Sequence, residues 1–462
     1  MTMHFQKFVI NRAVLLFTIF ACPVKTFAVE QPTAIFHAFN QHYSEIEKFV
    51  CKLADQGYSH IQTPPTQKSN PSPEWWARYQ PVDYSVIAGR GSQDDLKKLI
   101  NQAHSCNIKV IADVVFNHMA NLDGNDSFEN LTQFPGLSIK DFHTVPSNPG
   151  QKPCDINYSD GNRNSEINCW LGGLPDLIYT NNVKKIQKAH LKKLLDLGID
   201  GFRFDAAKHM PADVVNEYIK YINKESQSKT WNYLEVITDS DTSAKDYNSI
   251  AAVTDFVLYN SLKNAFTFGG DLRSLRVPKA VDDPRSVTFG RNHDTIREIN
   301  SSAINPYSDR SDSYLATAYV LARESGTPLV LNWDNADAAF IPYGVKFRQI
   351  MRQRGKEGKN VKENVLAAID SPTVLLMERG SEGFFVVNKG ASKFNVPALD
   401  LTLTNLEGCY RELRNNFTVA IERRNNGKKF ITRWATNNRG GMEVQGRDAL
   451  YFIREPFNQC QV

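Results

Sequence analysis

In GFRFDAAKH (Gly201–His209), Phe202 and Phe204 alternate with Arg203 and Asp205. A period of two puts the aromatics on one face of a strand and two full charges on the other. Arg and Asp are rarely buried unless they are paired or used chemically. In a parallel barrel one strand face packs on helices, the other points inward, and the site lies at the C-terminal ends of the strands. On that reading Phe202 and Phe204 pack outward, and Arg203 and Asp205 end inside, at the top. Arg203 is expected to hold Asp205 ionised, which makes a usable nucleophile. From this stretch alone a plain structural ion pair stands equally open.

Further β-rich runs recur along the 462 residues: TAIFHAF (33–39), SHIQT (59–63), KVIADVV (109–115), YLEVI (233–237), DFVLY (255–259), SVTFG (286–290) and TPLVLN (327–332). Helical patterns lie between several of them. SQDDLKKLINQAHSC (92–106) opens with a cap-like Ser92 and early acids, and VKKIQKAHLKKLLDLG (183–198) stops at Gly198. Eight strands alternating with helices predict a (β/α)8 barrel of the TIM type. A doubly wound sheet is the competing architecture, but no GxGxxG follows the first strand. Residues 119–176, rich in Asn, Asp, Gly and Pro, predict an inserted subdomain after the third strand. From 370 to 462 the helical pattern fades into turn-separated strands, which predicts a C-terminal antiparallel β domain. The barrel is then assigned to 29–118 and 177–369.

Residues 1–28 read as a signal peptide: Lys7 and Arg12 precede the apolar run AVLLFTIFACPV, and small residues end at Ala28. The chain is expected to be secreted or periplasmic. A lipid anchor on Cys22 is disfavoured by Phe20 and Pro23. Loss of the leader lowers Lys+Arg from 54 to 51 against 50 Asp+Glu, so the balance points to a neutral substrate and away from nucleic acid or a stable membrane association. Of seven cysteines, six remain without Cys22, an even number that favours disulfides in an exported chain.

Three more strand ends carry polar groups. ADVVFNH ends in Asn117 and His118, YLEVI carries Glu235 among apolar neighbours, and FGRNHDT ends in His293 and Asp294. Two carboxylates of different pKa drive glycoside hydrolysis. Glu235 is expected to keep its proton through desolvation and like charge from Asp205 and Asp294. Trp75, Trp76 and Tyr79, in a Pro-flanked loop, suit the flat C–H faces of sugars.

These four segments, in this order, resemble the α-amylase family of glycoside hydrolases. WWARYQPVDY (75–84) and GFRFDAAKHM (201–210) look most like animal-type secreted members. The resemblance implies a secreted endo-acting α-1,4-glucan hydrolase with a retaining double displacement. It implies Asp205 as nucleophile, Glu235 as acid then base, and Asp294 as stabiliser of the transition state. The Asp205 and Glu235 carboxyls would lie about 5–5.5 Å apart. Trp75, Trp76, Tyr79, Gln80, His118, Arg203, Lys208, His209 and His293 would bind substrate. It also implies a structural Ca2+ held by the Asn117 side chain, the Asp176 carboxylate and the Ile167 and His209 carbonyls, all oxygen donors suited to a hard cation. Cys51 with Cys106 and Cys154 with Cys169 match bridged positions in relatives; Cys409 and Cys460 are left as a default pair. Animal-type relatives hold chloride with an arginine near the eighth strand. SGTPLVLNW has no basic residue there, so no strong chloride activation is expected, although Arg203 and Asn292 match part of such a site. The partner is an α-glucan and the chain is read as a monomer.

Three other readings stand beside this one. A transglycosylase or maltooligosaccharide-forming enzyme would carry the same three acids. A metallophosphoesterase is suggested by RNHD but lacks any HxH. A catalytically dead glucan-binding protein would be expected to lack one acid.

Overall fold

The computed structural model describes residues 30–123, 131–159, 161–239, 242–281, 285–296, 303–396, 404–423, 425–434 and 442–460. The segment expected to be a signal peptide, with Cys22, lies outside the described residues. Eight parallel strands close a barrel in sequence order: β1 (Ile35–His37), β2 (His60–Pro65), β3 (Lys109–Val115), β4 (Gly201–Asp205), β5 (Tyr233–Leu234), β6 (Ala252–Thr254), β7 (Ser286–Thr288) and β8 (Thr327–Leu331). In register, β3 sets Asp113 beside Arg203 of β4 and Val115 beside Asp205. Gly201 opens β4 because a Cβ there would meet the Trp231 carbonyl oxygen at 1.9 Å.

The outer ring contains α1 (Tyr43–Gln56), α2 (Gln93–Ser105), α3 (Asn181–Leu197), α4 (Ala212–Glu225), α5 (Phe256–Phe266), α6 (Arg310–Ala322) and α7 (Ile341–Lys356). Ser92 caps α2 in a reciprocal box with Asp95. Thr180 caps α3, and Gly198 ends it at φ 101°. Phe204 packs outward as expected, its ring 5.9 Å from Phe116 and 6.3 Å from Tyr218 of α4. Among the described residues no helix is long and apolar enough to cross a membrane.

The sixth strand departs from expectation. Residues 255–259 were predicted as strand; the strand is Ala252–Thr254, and α5 begins at Phe256. Asp255 decides the change, because its side chain accepts from the Leu258 N–H and caps the helix. Four apolar residues in a row carry no period that separates a buried strand from a buried helix turn. A short hairpin (Gln67–Ser69 with Pro81–Ile87) was also not foreseen; it holds the loop of Trp75 and Tyr79 over the barrel mouth.

Beyond the barrel, seven antiparallel strands form one sheet: β9 (Glu363–Val365), β10 (Val374–Arg379), β11 (Gly383–Asn388), β12 (Gly408–Glu412), β13 (Thr418–Arg423), β14 (Lys429–Trp434) and β15 (Asp448–Glu455), in the spatial order β9-β10-β11-β15-β12-β13-β14. One face packs on α6 and α7, where the Tyr451 hydroxyl donates to the Ala318 carbonyl at 3.1 Å. Cystines join Cys51 to Cys106 between α1 and α2, Cys154 to Cys169 in the segment after β3, and Cys409 to Cys460 in the C-terminal sheet region. Loops of these lengths give each bridge about 3–4 kcal/mol by chain entropy.

Lys389, just past β11, ties this sheet to the barrel. Its ammonium donates to the carbonyls of Ala265 (2.7 Å), Thr267 (3.1 Å) and Gly270 at the end of α5. A cation at a helix C-terminus also meets the negative end of the macrodipole. Lys389→Met leaves those oxygens without their donor, at a cost of about 1–3 kcal/mol. Thermal unfolding followed by circular dichroism should show a lower midpoint with an unchanged native spectrum; an unmoved midpoint would mean the tie contributes nothing.

Candidate active site

The tips of β3, β4, β5 and β7 meet around one buried cation. Arg203 Nη1 lies 2.9 Å from both carboxylate oxygens of Asp113 and 2.7 Å from Asp205 Oδ1. Its Nη2 pairs with Glu235 Oε1. The Tyr79 ring covers the guanidinium at 5.7 Å, and its hydroxyl donates to Asp113 at 3.3 Å. Asp113 also accepts from Gln62 Nε2 at 3.4 Å, and Tyr233 donates to Gln62 Oε1. The barrel interior below the site is thus a hydrogen-bonded layer.

Above it opens a cavity of about 500 Å³. Asp205, Glu235 and Asp294 line it together, with Trp75, Trp76, Tyr79, Gln80, His118, Lys208, His209 and His293. Arg203 alone of the expected sugar-binding residues lies beneath the floor. Glu235 sits just past the end of β5, and its Oε2 accepts from the Ala206 N–H at 2.9 Å. Ala206 turns the chain after Asp205 at φ 47°, a left-handed conformation rare for a residue with a Cβ.

The imidazole of His293 is sandwiched between Tyr79 (5.0 Å, stacked) and Phe39 (5.2 Å, stacked). Burial pushes its pKa down to about 3, so it is neutral. His118 donates from Nε2 to the Tyr79 carbonyl at 3.0 Å, and burial lowers it to about 4. Lys208 is not free to reach far into the cavity: its ammonium pairs with Asp239 and with Glu166 at 3.1 Å, under the Tyr158 ring at 4.6 Å.

The proton balance reverses two sequence expectations. Burial, then repulsion from Glu235 and Asp113, lifts Asp205 well above the ordinary carboxylate range despite Arg203. Burial and Glu235 lift Asp294 likewise. Burial also raises Glu235, but Arg203 foremost, with the Ala206 N–H, outweighs it and leaves Glu235 below its usual value. Arg203 spends one nitrogen on Glu235 alone, while Asp205 shares the other with Asp113. Arg203 thus holds Glu235 below the ordinary carboxylate range while Asp205 and Asp294 lie above it.

The candidate metal position holds two oxygens without donors. Among the described residues, Asn117 Oδ1 and Asp176 Oδ1 are both buried and unpartnered. Asp176 uses its other oxygen on His143 Nδ1 at 2.7 Å. The chain pairs His118 with Asp176 in an isolated bridge, and His209 Nδ1 donates to the Glu166 carbonyl beside Ile167 at 2.9 Å. No group of three His, Cys, Asp or Glu side chains converges among the described residues. A set of amide, carboxylate and main-chain oxygens is the chemistry that remains, and it fits a hard cation such as Ca2+.

Sequence reasoning missed Asp113, Tyr158, Glu166 and Asp239. Asp113 had a signal: it stands two and four residues before Val115 and Asn117, in the inward register of β3. Tyr158, Glu166 and Asp239 come from segments with no strand alternation to mark them.

Fold and cavity define a (β/α)8-barrel enzyme with carboxylates at the strand tips. Residues 57–369 match the family model for the alpha amylase catalytic domain. An alpha-amylase of Aeromonas hydrophila is 33% identical over 345 residues, covering 64% of this chain and 70% of the relative. One from Phaedon cochleariae is 31% identical over 320 residues, 64% of each chain. The match thus spans about two thirds of those relatives' lengths. The same fold is seen in alpha-amylase I of Eisenia fetida, solved with maltohexaose (TM-score 0.72, 20% identity, covering 92% of this chain and 98% of that one). It recurs in an alpha-amylase of Geobacillus thermoleovorans solved with acarbose (TM-score 0.65, 18% identity, covering 91% and 98%). The chain belongs to the α-amylase family of glycoside hydrolases.

Arg203→Met tests the electrostatics. It leaves the Asp113, Asp205 and Glu235 carboxyls buried without their cation, and breaking such a pair costs about 3–5 kcal/mol. The folded pKa values of Asp113 and Asp205 then rise further above the unfolded ones, and that of Glu235 rises from below. That contribution to stability is present at pH below the unfolded values and is lost as pH rises through the folded ones. The variant's melting temperature, relative to the parent, should fall at pH 7 and recover toward pH 5. A difference independent of pH would remove Arg203 from this role.

Proposed function

We propose that the protein is a secreted, endo-acting α-1,4-glucan hydrolase that retains configuration at the anomeric carbon. The observation that carries this is the convergence of Asp205, Glu235 and Asp294, from three strand ends, on one cavity walled by Trp75, Trp76 and Tyr79. The aromatic faces hold the sugar C–H faces, and Gln80, His118 and His293 orient hydroxyls next to the bond to be cut. Asp205 attacks the anomeric carbon and forms a glycosyl-enzyme ester while Glu235 gives a proton to the departing oxygen. Glu235 then takes a proton from water, which attacks the same carbon and releases Asp205. Asp294 holds the flattened ring and stabilises its developing positive charge.

In this scheme a sugar entering the cavity must part Arg203 from Glu235. The guanidinium then serves Asp113 and Asp205, which ionises the nucleophile and frees Glu235 to take up the proton. Lys208 and His209 border the leaving-group side, with Tyr158 from the inserted segment. Arg203 is already committed to three carboxylates, which supports the reading that chloride does not strongly activate the enzyme.

Glu235→Gln should lower starch hydrolysis by about 10²–10⁴-fold while the circular dichroism spectrum of the folded protein is retained. Activity within a fewfold of the parent would take the acid role from Glu235. Product analysis on starch separates hydrolysis from glycosyl transfer.

The Asn117 and Asp176 oxygens, with the Ile167 and His209 carbonyls, would hold Ca2+ between the barrel and the inserted segment. The ion would supply structural cross-linking, without touching the sugar. Dialysis against a chelator should lower the melting temperature, and added Ca2+ should restore it. Asn117→Ala should blunt that response. A chelator-insensitive parent would remove the ion.

A further inference from the structure

The inserted segment buries a carboxylate that the three acids of the cavity do not need. Glu166, in the short helix Arg163–Asn168, has no exposed side-chain surface. Its two oxygens are divided between different partners. Oε2 takes the Arg163 guanidinium and the Thr242 hydroxyl. Among the described residues Oε1 faces only the Lys208 ammonium, at 3.1 Å. Asp239, from the loop after β5, meets the same ammonium, and the Tyr158 ring lies 4.6 Å from it. Lys208 is buried and lines the catalytic cavity. Its main-chain N–H donates to the Glu235 carbonyl at 3.3 Å, so this lysine starts beside the candidate acid.

A buried ion pair is poor evidence of stability, since apolar residues of like volume often serve a fold as well. Two carboxylates on one ammonium are also more than charge balance asks. What they supply is position. Lysine carries its charge on a long flexible stem, and ordering that stem takes a partner that is itself held. Asp239 stands at the rim of the cavity, its side chain 18% exposed. Glu166 is the firmer of the two. Arg163 and Thr242 hold its second oxygen, and its carbonyl accepts from His209 Nδ1 at 2.9 Å. With Glu166 in place the ammonium stays against Tyr158 in the cavity wall. With that charge gone, Asp239 alone draws it toward the rim.

We infer that Glu166 is a positioning residue, which fixes the Lys208 ammonium where it holds the sugars on the leaving side of the bond being cut. The inference rests on the glucan-hydrolase reading above and adds to it a residue that does not itself touch sugar. It gives the inserted segment a part in choosing where a chain is cut, because a firm hold on the leaving side favours cleavage that places several sugars there.

Two substrates separate this role from a merely structural one. Maltoheptaose puts sugars on both sides of the cut. A nitrophenyl maltotrioside, cut at its aryl bond, puts none on the leaving side. Glu166→Gln, folded by circular dichroism, should lower the ratio of kcat/KM on maltoheptaose to that on the aryl substrate by about tenfold, the size of one charged contact. In a Lys208→Met background the same substitution should move that ratio by less than about twofold, because it acts through the lysine. Should Glu166→Gln fail to fold, Thr242→Val removes one anchor of the carboxylate and should lower the ratio by about threefold. An equal loss on both substrates overturns the inference, as does an unchanged or raised ratio, or a second full drop in the Lys208→Met background. In each of those cases hydrolysis of maltoheptaose by the parent keeps the glucanase reading. A parent that cleaves neither substrate removes that reading, and the role of Glu166 with it.

Discussion

A guanidinium shut inside the barrel governs this protein. Removing an ion from water costs several kcal/mol even after relaxation, and the cost is offset only when partners meet it with good geometry. Arg203 is met by Asp113 from the neighbouring strand, by Asp205 on its own strand and by Glu235 from the next. Each partner is anchored in a different strand, so the pairing works only when β3, β4 and β5 are in register. The charge that makes the site chemically potent also locks the barrel that carries it. The same cation pulls Glu235 below the ordinary carboxylate range, while Asp205, which shares its nitrogen with Asp113, stays above it.

Much of this was legible in the primary structure, and the reasons are local. The alternation of Phe202, Arg203, Phe204 and Asp205 maps directly onto an outward and an inward face, because a strand has a period of two. Ser92 and Gly198 act at helix ends by a short-range hydrogen bond or backbone conformation, so the start of α2 and the end of α3 could be placed closely. DFVLY had no such marker. Asp255 looked like the start of a strand and proved to be a helix cap. The gathering of Asp205, Glu235 and Asp294 followed from placing each at a strand end. What could not be read was who pairs with whom. The destination of each Arg203 nitrogen is a three-dimensional matter, and it reversed the expected directions in which Asp205 and Glu235 are shifted.

The segment after β3 buries Leu131, Phe134, Phe142 and Trp170 in the barrel's apolar core and adds a cluster of charges to that seam. Glu166, fully buried, receives Lys208 from the turn after β4, Arg163 from its own short helix and the Thr242 hydroxyl from the loop after β5. Lys208 bridges onward to Asp239. One carboxylate thus gathers three loops at the rim of the cavity, next to the oxygens of Asn117 and Asp176. Tyr158 leans over the same lysine, so the wall it builds stands only as firmly as this cluster.

The left-handed turn at Ala206 has a consequence for how such a site can vary. Its amide must point at Glu235, and its backbone sits where branched side chains clash. Glycine would relax the turn; valine, isoleucine and threonine are closed to it. The two residues between the nucleophile and Lys208 therefore form a rigid hinge pin with a very small permitted alphabet. New preferences on the departing side of the sugar have to arise in the surrounding loops, whose residues answer to no such constraint.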